Sequence, residues 1–522
     1  MSVLTDARTF GDVLRGHAHA RPAKVAFETL DGKSLTFGDF NLRVNRLNHA
    51  AAALGLAKGD RVAILSKNRI EYVESYGLSK SGLIVVPLNW RLAPGELVKL
   101  LQHSAPEMLI VDEGHRELVD RIRDDLASVK HFVLLGASRA GWLAYEDVIA
   151  AAPASEPVVV AQPDDVLCLI YTSGTTGAPK GVAVTHAGAL GNGRTAATEM
   201  LALSASDVTM AVMPLFHAGG MWYHLFPSFA TGCTTLLLSE FEPGVVLKEL
   251  EARRITNVHL VPTMIGALLA HPDAATADLS GVRLLFYAAS SMPADLLRRA
   301  MATFPRCGFA QAYGSTEAGV VTVLGPDAHR RAREPEGEHL LSSCGQPFSG
   351  HDVRLVDDEQ RTVAQGTVGE IEVRSPDLMK GYWLNEDATR SVLNDGWLKT
   401  GDLGYFDAEG FLYIIDRKND MVVTGGENVF PTEVEGHLYR DPDVLEAAVF
   451  GIPDPQWVER VVAAVVLKPG VRVTADELIR RMRGQLAAYK CPKAIFFTSS
   501  LPKSAVGKVL RKELRKQYGT AA

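Results

Sequence analysis

Short β-branched runs alternate with amphipathic helical patterns along most of this chain, and that alternation leaves few folds open. "DRVAILS" (60–66) reads as a strand. "RIEYVESYGLSKSG" (69–82) has helical spacing and ends at glycine, and "LIVVPL" (83–88) reads as a strand again. "PEMLIVDE", "HFVLLG", "VLCLIYTS", "TTLLLSE", "NVHLVP" and "VRLLFYAA" repeat the theme, with helices such as "PGVVLKELEARRI" between them. The pattern is that of layered α/β subdomains with mostly parallel strands. From about residue 350 the texture changes. "HDVRLVDDEQRTVAQGTVGEIEVRS" alternates with a period of two, which predicts a small β-rich subdomain. After "FLYIIDRKNDMVVTGGENVFPTEVE", strand-like "EAAVFGIP" and "VVAAVVLKP" pair with helical "TADELIRRMRGQLAAY" in a stretch able to fold alone. We therefore expect a large N-terminal region, 1–418, and a small mobile α+β C-terminal domain, 419–522. A chain of 522 residues has room for roughly three or four domains.

Charge and cysteine usage exclude several classes. The net charge of −7 does not suggest nucleic acid or an anionic membrane as partner. The five cysteines (168, 233, 307, 344, 491) are scattered and form no CxxC pair, which argues against a disulfide framework or a structural zinc. The start, "MSVLTDARTFGDVLRG", lacks a signal-type apolar core, and the longest apolar runs fall short of the ~18–20 residues that span a bilayer. A cytoplasmic protein without stable membrane insertion is expected.

The chemistry concentrates in "YTSGTTGAPKGV" (171–182). Glycines let backbone N–H groups approach oxygen anions, and Thr172, Ser173, Thr175 and Thr176 offer hydroxyl donors. Lys180 adds a point charge suited to phosphate. The segment is not a Walker loop, because Lys180 follows Pro179 and Gly181 stands where Ser or Thr is required. It follows the apolar run "VLCLIY", with helix-like sequence after it. A loop beyond the C-terminal end of a strand is where α/β sheets bind ligands.

This stretch closely resembles the signature of the adenylate-forming (AMP-binding) superfamily, which holds acyl-CoA synthetases, peptide-synthetase adenylation domains and beetle luciferases. "MPLFHAGG" (213–220), "QAYGSTEAG" (311–319), "GWLKTGDLGYFD" (396–407), "YIIDRKNDMVVTGGENVFPTEVE" (413–435) and "PKSAVGKVLRK" (502–512) resemble further family motifs in family order, over essentially the whole chain. The resemblance implies a two-step reaction. ATP and an acid give an acyl-adenylate and pyrophosphate, and a thiol then gives a thioester and AMP.

The family's roles map residue by residue. Thr172, Ser173, Gly174, Thr175, Thr176, Gly177 and Lys180 would wrap the outer phosphates. Thr316 would contact the α-phosphate, and Glu317, with Thr172, would hold Mg²⁺. Tyr313 would stack on adenine near Gly314, Gln311 and Ala289. Asp402 would accept the ribose hydroxyls, with Arg417 beside them. Lys508 resembles the catalytic lysine of the C-terminal domain, and Asn419 occupies the hinge position, where relatives usually carry Lys or Asp. Gly425, Gly426 and Glu427 would line the pantetheine channel, with Tyr489 and Lys490 near the CoA nucleotide.

His217 resembles the residue at the mouth of the acyl tunnel, in a gating or carboxylate-positioning role. Amino-acid-activating relatives usually carry Asp here, so an unpaired substrate ammonium is disfavoured. The small residues after His217, above all Gly219, suggest an open tunnel walled by Trp222 and Tyr223. The expected substrate is a hydrophobic monocarboxylate, fatty or aryl, with ATP and CoA as co-substrates. A carrier-protein-loading enzyme and a non-catalytic nucleotide binder are the competing readings, and a homodimer is left open.

Overall fold

The computed structural model describes residues 6–158, 161–172, 180–289, 292–418, 420–424, 427–483, 485–503 and 509–519. The chain forms two compact units. One comprises Met1–Asp352 with Val373–Leu398, the other Val353–Glu372 with Lys399–Ala522. The segment after residue 419 therefore shares its unit with strand-bearing segments that precede it.

The first unit holds two large sheets. In the nine-stranded sheet, Val25–Thr29, Thr234–Leu237, Val208–Ala211, Asn257–Leu260, Leu284–Tyr287 and Gly308–Ser315 run parallel in that spatial order. Gly319–Leu324 then turns back antiparallel on Gly308–Ser315. In the eight-stranded sheet, Val166–Thr172, Ile84–Pro87, Arg61–Leu65, Met108–Asp112 and His131–Leu135 are parallel neighbours. Met108–Asp112 is buried at every position. A strand covered on both faces is predominantly apolar, which is why these strands read as near-continuous runs rather than alternations. Ala63, Leu65, Val86, Leu109, Val111 and Leu169 meet in one core beneath this sheet.

The helix expected at 69–82 forms as Ile70–Tyr76 and tightens to a 3₁₀ turn, Gly77–Ser81. Gly82 stops it with φ of 74°, a left-handed conformation that costs glycine nothing. One local expectation is corrected. A strand, Lys180–Thr185, follows the phosphate-loop segment, antiparallel to Val166–Thr172, before the helix His186–Thr195 begins. "GVAVT" alternates small and β-branched residues and so pairs as a strand. Thr185 then caps the helix, its hydroxyl accepting from Gly188 N at 3.0 Å.

In the second unit, Asp352–Val356, Gly369–Arg374, Trp397–Phe406 and Leu412–Arg417 form the β-rich part expected after residue 350. A further sheet is built on the long hairpin Val444–Asp454 and Val458–Leu467. The short hairpin Val422–Thr424 with Glu427–Val429 and the parallel strand Ala494–Phe497 both pair with Val458–Leu467, on its edge away from Val444–Asp454. Val422, Leu438, Val449, Val461, Ala463 and Leu478 form its core. Helix Arg511–Tyr518 is anchored by Arg511, which donates to Glu435 at 2.7 and 2.9 Å and to Val449 O at 3.0 Å.

Val458, opposite Asp454 at the tip of the long hairpin, has φ of 71° and is 71% exposed. A β-branched side chain there strains the backbone by about 1–3 kcal/mol and gains little burial in return. Val458→Gly is expected to stabilise the protein by about 1 kcal/mol after the entropy cost of glycine. A urea titration checks this, and an unchanged or lower midpoint would remove strain from this turn.

Candidate active site

Thr172 and Lys180, on either side of residues 173–179, are paired strand ends. Two residues on, Val182 and Ala183 pair with the short strand Gly381–Tyr382, which fixes Tyr382 beside Lys180. The Lys180 ammonium stands 4.9 Å from the centre of the Tyr382 ring. The Tyr382 hydroxyl donates to Glu317 Oε1 at 3.0 Å. One tyrosine therefore touches both the loop lysine and the acidic residue. Burial raises its pKa, and the neighbouring Glu317 charge adds to the rise, so the phenol stays protonated and keeps donating. Tyr382 lies outside the motifs that carry the resemblance; its sequence signal is "MKGYW" (379–383), where a tyrosine follows a glycine at a strand edge.

Glu317 and Thr316 sit in the tight turn between strands Gly308–Ser315 and Gly319–Leu324. A Cβ on Gly314 would lie 2.2 Å from Gly319 O, so this backbone approach admits glycine alone. The turn is tied down from three directions. Ala318 N donates to Ser315 Oγ at 3.1 Å, Tyr223 OH to Ser315 O at 2.6 Å, and Met379 N to Glu317 O at 2.8 Å. Gln311 and Tyr313 lie on the strand leading into the turn. Gln311 Oε1 is buried and accepts no hydrogen bond from the described residues, so it offers an acceptor to an amino group. Ala289, after the adjacent strand Leu284–Tyr287, is exposed and left-handed, with φ of 75°.

A small cavity is lined by Ala218, Trp222, Tyr223, Thr316, Asn192 and Asp377, among others. Trp222 packs edge-on against Tyr76 and Phe226, each 5.3 Å between ring centres, so most of its ring belongs to the core. Asn192 is fully engaged: its amide donates to Trp222 O and its oxygen accepts from Val320 N. His217 Nδ1 accepts from Gly219 N at 3.2 Å, which leaves the proton on Nε2. Burial lowers its pKa to about 4. The imidazole is therefore a neutral donor at working pH, suited to hold a carboxylate oxygen. A Cβ on Gly219 would stand 3.3 Å from His217 Nδ1 and 3.4 Å from His259 Cε1, closer than side chains ordinarily pack, so glycine lets the backbone sit against both imidazoles.

Burial pushes the Asp377 carboxyl up to about 7, against the lowering effect of Arg194. Its Oδ2 lies 3.7 Å from His351 Nε2, which pairs with Ser375 Oγ at 2.9 Å. A carboxyl that keeps its proton to about pH 7 when folded, yet loses it near 3.8 when unfolded, draws stability down as pH rises between those values. Asp377→Asn is expected to leave stability nearly unchanged at pH 4. At pH 8 it should raise stability by about 1–3 kcal/mol. Denaturant midpoints at the two pH values check this, and equal gains at both would exclude a buried proton.

In the second unit, Asp402 and Arg417 face each other across paired strands. Arg417 Nε is 3.2 Å from Asp402 Oδ1; the carboxylate is buried and the arginine open to solvent. Glu427 lies exposed on the strand Glu427–Val429, and Tyr489 is also exposed. Lys490 is bound by Glu433 at 2.7 and 2.8 Å, which raises its pKa, so it must leave that carboxylate to reach a phosphate. Ser173, Gly174, Thr175, Thr176, Gly177, Asn419, Gly425, Gly426 and Lys508 lie outside the described residues. No helix among the described residues is long and apolar enough to cross a membrane.

Comparison with known proteins agrees with this geometry. The family model for AMP-binding enzymes matches residues 14–383, and that for the AMP-binding enzyme C-terminal domain matches 433–508. A feruloyl-CoA synthase from an Amycolatopsis species is 38% identical over 489 residues, covering 94% of this chain and 95% of the relative. The fatty acid–[acyl-carrier-protein] ligase ScoC of Streptomyces coeruleorubidus is 35% identical over 506 residues, 96% of this chain and 95% of the relative. The crystal structure of ATP-bound MatB from Rhodopseudomonas palustris superposes with a TM-score of 0.88 at 28% identity, covering 100% of both chains. The chain belongs to the AMP-binding enzyme family, in its acyl-CoA synthetase and ligase branch, and is an AMP-forming acid–thiol ligase.

Proposed function

We propose that the acid is aryl or arylalkenoic, of cinnamate type, and that CoA rather than a carrier protein accepts the acyl group. The observation that carries the reading is the ring-walled space beside the Thr316 turn. Trp222 and Tyr223 line a cavity that also meets the polar Asn192 and Asp377. A flat ring matches aromatic walls through stacked or edge contacts. The 38% identity to a feruloyl-CoA synthase supports the same direction.

In the first step a carboxylate oxygen attacks the α-phosphorus, and the bond to the β-phosphate breaks to release pyrophosphate. His217 Nε2–H holds the acid's other oxygen, Thr316 the α-phosphate, and Lys180 with the 172–177 hydroxyls the departing phosphates. Asp402 and Arg417 hold the ribose, and Gln311, Tyr313, Gly314 and Ala289 the adenine. Glu317 suits Mg²⁺: it is an oxygen ligand whose side-chain partner among the described residues is the Tyr382 hydroxyl. A cation there would be held chiefly by phosphate and water. When bound, the ion neutralises phosphate charge. In the second step the CoA thiolate attacks the acyl carbon and AMP leaves. We assign the division of labour to a pivot at Asn419 that separates 1–418 from 419–522. The loop at Gly425, Gly426 and Glu427 would then line the pantetheine, with Tyr489 and Lys490 toward the nucleotide.

The test is AMP release across short, long and aryl acids, with CoA, with a phosphopantetheinylated carrier protein, and with neither. Cinnamate-type acids with CoA should give the highest kcat/KM. A maximum with long fatty acids would overturn the aryl assignment, and dependence on the carrier would overturn CoA. Gly219→Ala places a methyl against both imidazoles. It should cost about 1–2 kcal/mol, or roughly 5- to 30-fold in kcat/KM, for ring-bearing acids while sparing propionate. Equal losses for both acids would take Gly219 out of the acyl wall.

A further inference from the structure

Within the second compact unit, the residues on the two sides of position 419 are anchored to different bodies. Lys418 belongs to the β-rich part. Its N–H donates to Gly401 O at 2.9 Å, and its ammonium holds Asp358 at 2.9 Å and Glu370 at 3.1 Å. Asp420 belongs to the C-terminal part. Arg511 and Arg515, on helix Arg511–Tyr518, stand 3.4 and 3.2 Å from its carboxylate. Two fixed neighbours leave the torsions around 419 as the place where one body can turn against the other.

One side chain reaches across that place. Asp416 lies near the end of strand Leu412–Arg417 and is 5% exposed. Its Oδ2 accepts from Thr432 N at 2.9 Å and from Thr432 Oγ1 at 3.0 Å, and its Oδ1 accepts from Arg417 N at 2.8 Å. Thr432 is the second residue of helix Pro431–Arg440. That helix begins without a side-chain cap of its own: Phe430 stands at the N-cap, and Pro431 has no N–H to offer. Asp416 supplies the cap from 16 residues earlier in the chain. A carboxylate there also suits the positive end of the helix dipole.

A cap made inside one rigid body would stabilise that body and do nothing else. This one joins a residue before position 419 to a residue after it. A large rotation at 419 separates Asp416 from Thr432. The buried carboxylate then loses two donors and the helix loses its cap, and the cost falls on one of the two orientations alone.

Resting on the pivot reading above, we propose that Asp416 is a positioning residue: it latches onto Thr432 in one orientation of the C-terminal part and lets go in the other, so that this contact sets the balance between adenylation and thioester formation. No bond in the substrate is made or broken by it.

The experiment measures the half-reactions separately, as pyrophosphate exchange and as acyl-CoA formation from supplied acyl-adenylate. The acid is cinnamate or octanoate, whichever the wild type activates faster. Both rates come from one preparation, so a loss of folded protein cancels in their ratio. Thr432→Val keeps the shape and the N–H and removes the hydroxyl donor. It should shift the ratio by about tenfold, towards the half-reaction that uses the unlatched orientation. Asp416→Asn leaves one acceptor oxygen for three donors and should shift the ratio further in the same direction. Adding Thr432→Val to Asp416→Asn should then change the ratio by less than about threefold, because the two residues act through one contact. Asn419→Pro fixes φ at the pivot and should separate the half-reactions by itself. If Asn419→Pro separates them while both latch variants leave the ratio within about threefold, the latch is overturned and the pivot stands. If all three variants leave the ratio unchanged, the pivot at 419 falls and the latch with it. Hydrogen exchange at the Thr432 amide reads the contact without turnover. Protection should differ by about tenfold or more between enzyme with ATP and enzyme with AMP and CoA. Equal protection in the two states would overturn the latch.

Discussion

Lys508→Ala is expected to lower acyl-adenylate formation by a factor on the order of 10²–10³ and to leave the conversion of supplied acyl-adenylate to acyl-CoA nearly intact. The attacking carboxylate and the α-phosphate are both anionic, and the pentavalent state concentrates their charge. A single lysine reaching both offsets that repulsion only while the first reaction is under way. The described residues on either side of 504–508 are held together. Lys503 and Val509 bridge as an antiparallel pair, and Leu510 N donates to Pro502 O at 2.8 Å. Beyond it, Arg511 is fixed by Glu435. Truncating the side chain at 508 should therefore leave the base of the loop unchanged. Pyrophosphate exchange reads the first half-reaction, and thioester formation from synthetic acyl-adenylate reads the second. If the two fall together, the lysine acts in both or supports the fold, and the assigned role is wrong.

How much of this was legible in the sequence depends on the range of the interactions involved. Strands such as Met108–Asp112 announce themselves because burial on both faces favours an unbroken apolar run, here Met108 to Val111. The strand Lys180–Thr185 was read as the start of a helix. Its β character comes from pairing with Val166–Thr172, across a loop whose length hides the hairpin. Residues within contiguous motifs, such as Thr316, Glu317 and Asp402, could be named from order and spacing. Tyr382 could not. It meets Glu317 across 65 residues of chain, and that partner lies outside any local window.

Glu317→Gln is expected to reduce kcat/KM for ATP by about 10²-fold at low Mg²⁺, with part of the loss regained as Mg²⁺ is raised. The substitution is close to isosteric. The amide oxygen can still accept from the Tyr382 hydroxyl, now 3.0 Å from Oε1, and the backbone bond from Met379 N to Glu317 O does not involve the side chain. The turn fixed by Gly314 and Gly319 should persist, so the loss reports the missing charge rather than a displaced loop. Tyr382→Phe makes the complementary change. It deletes the hydroxyl donor to Glu317 but keeps the ring 4.9 Å from the Lys180 ammonium. One hydrogen bond to a half-buried carboxylate is worth about 1.5 kcal/mol, so about a tenfold loss is expected, with little change in Mg²⁺ dependence. Calorimetric titration of ATP with and without Mg²⁺ gives a readout independent of turnover. The metal should strengthen ATP binding to wild type and Tyr382→Phe, and much less to Glu317→Gln. Identical metal dependence in all three proteins would mean that Glu317 serves the turn and not the cation.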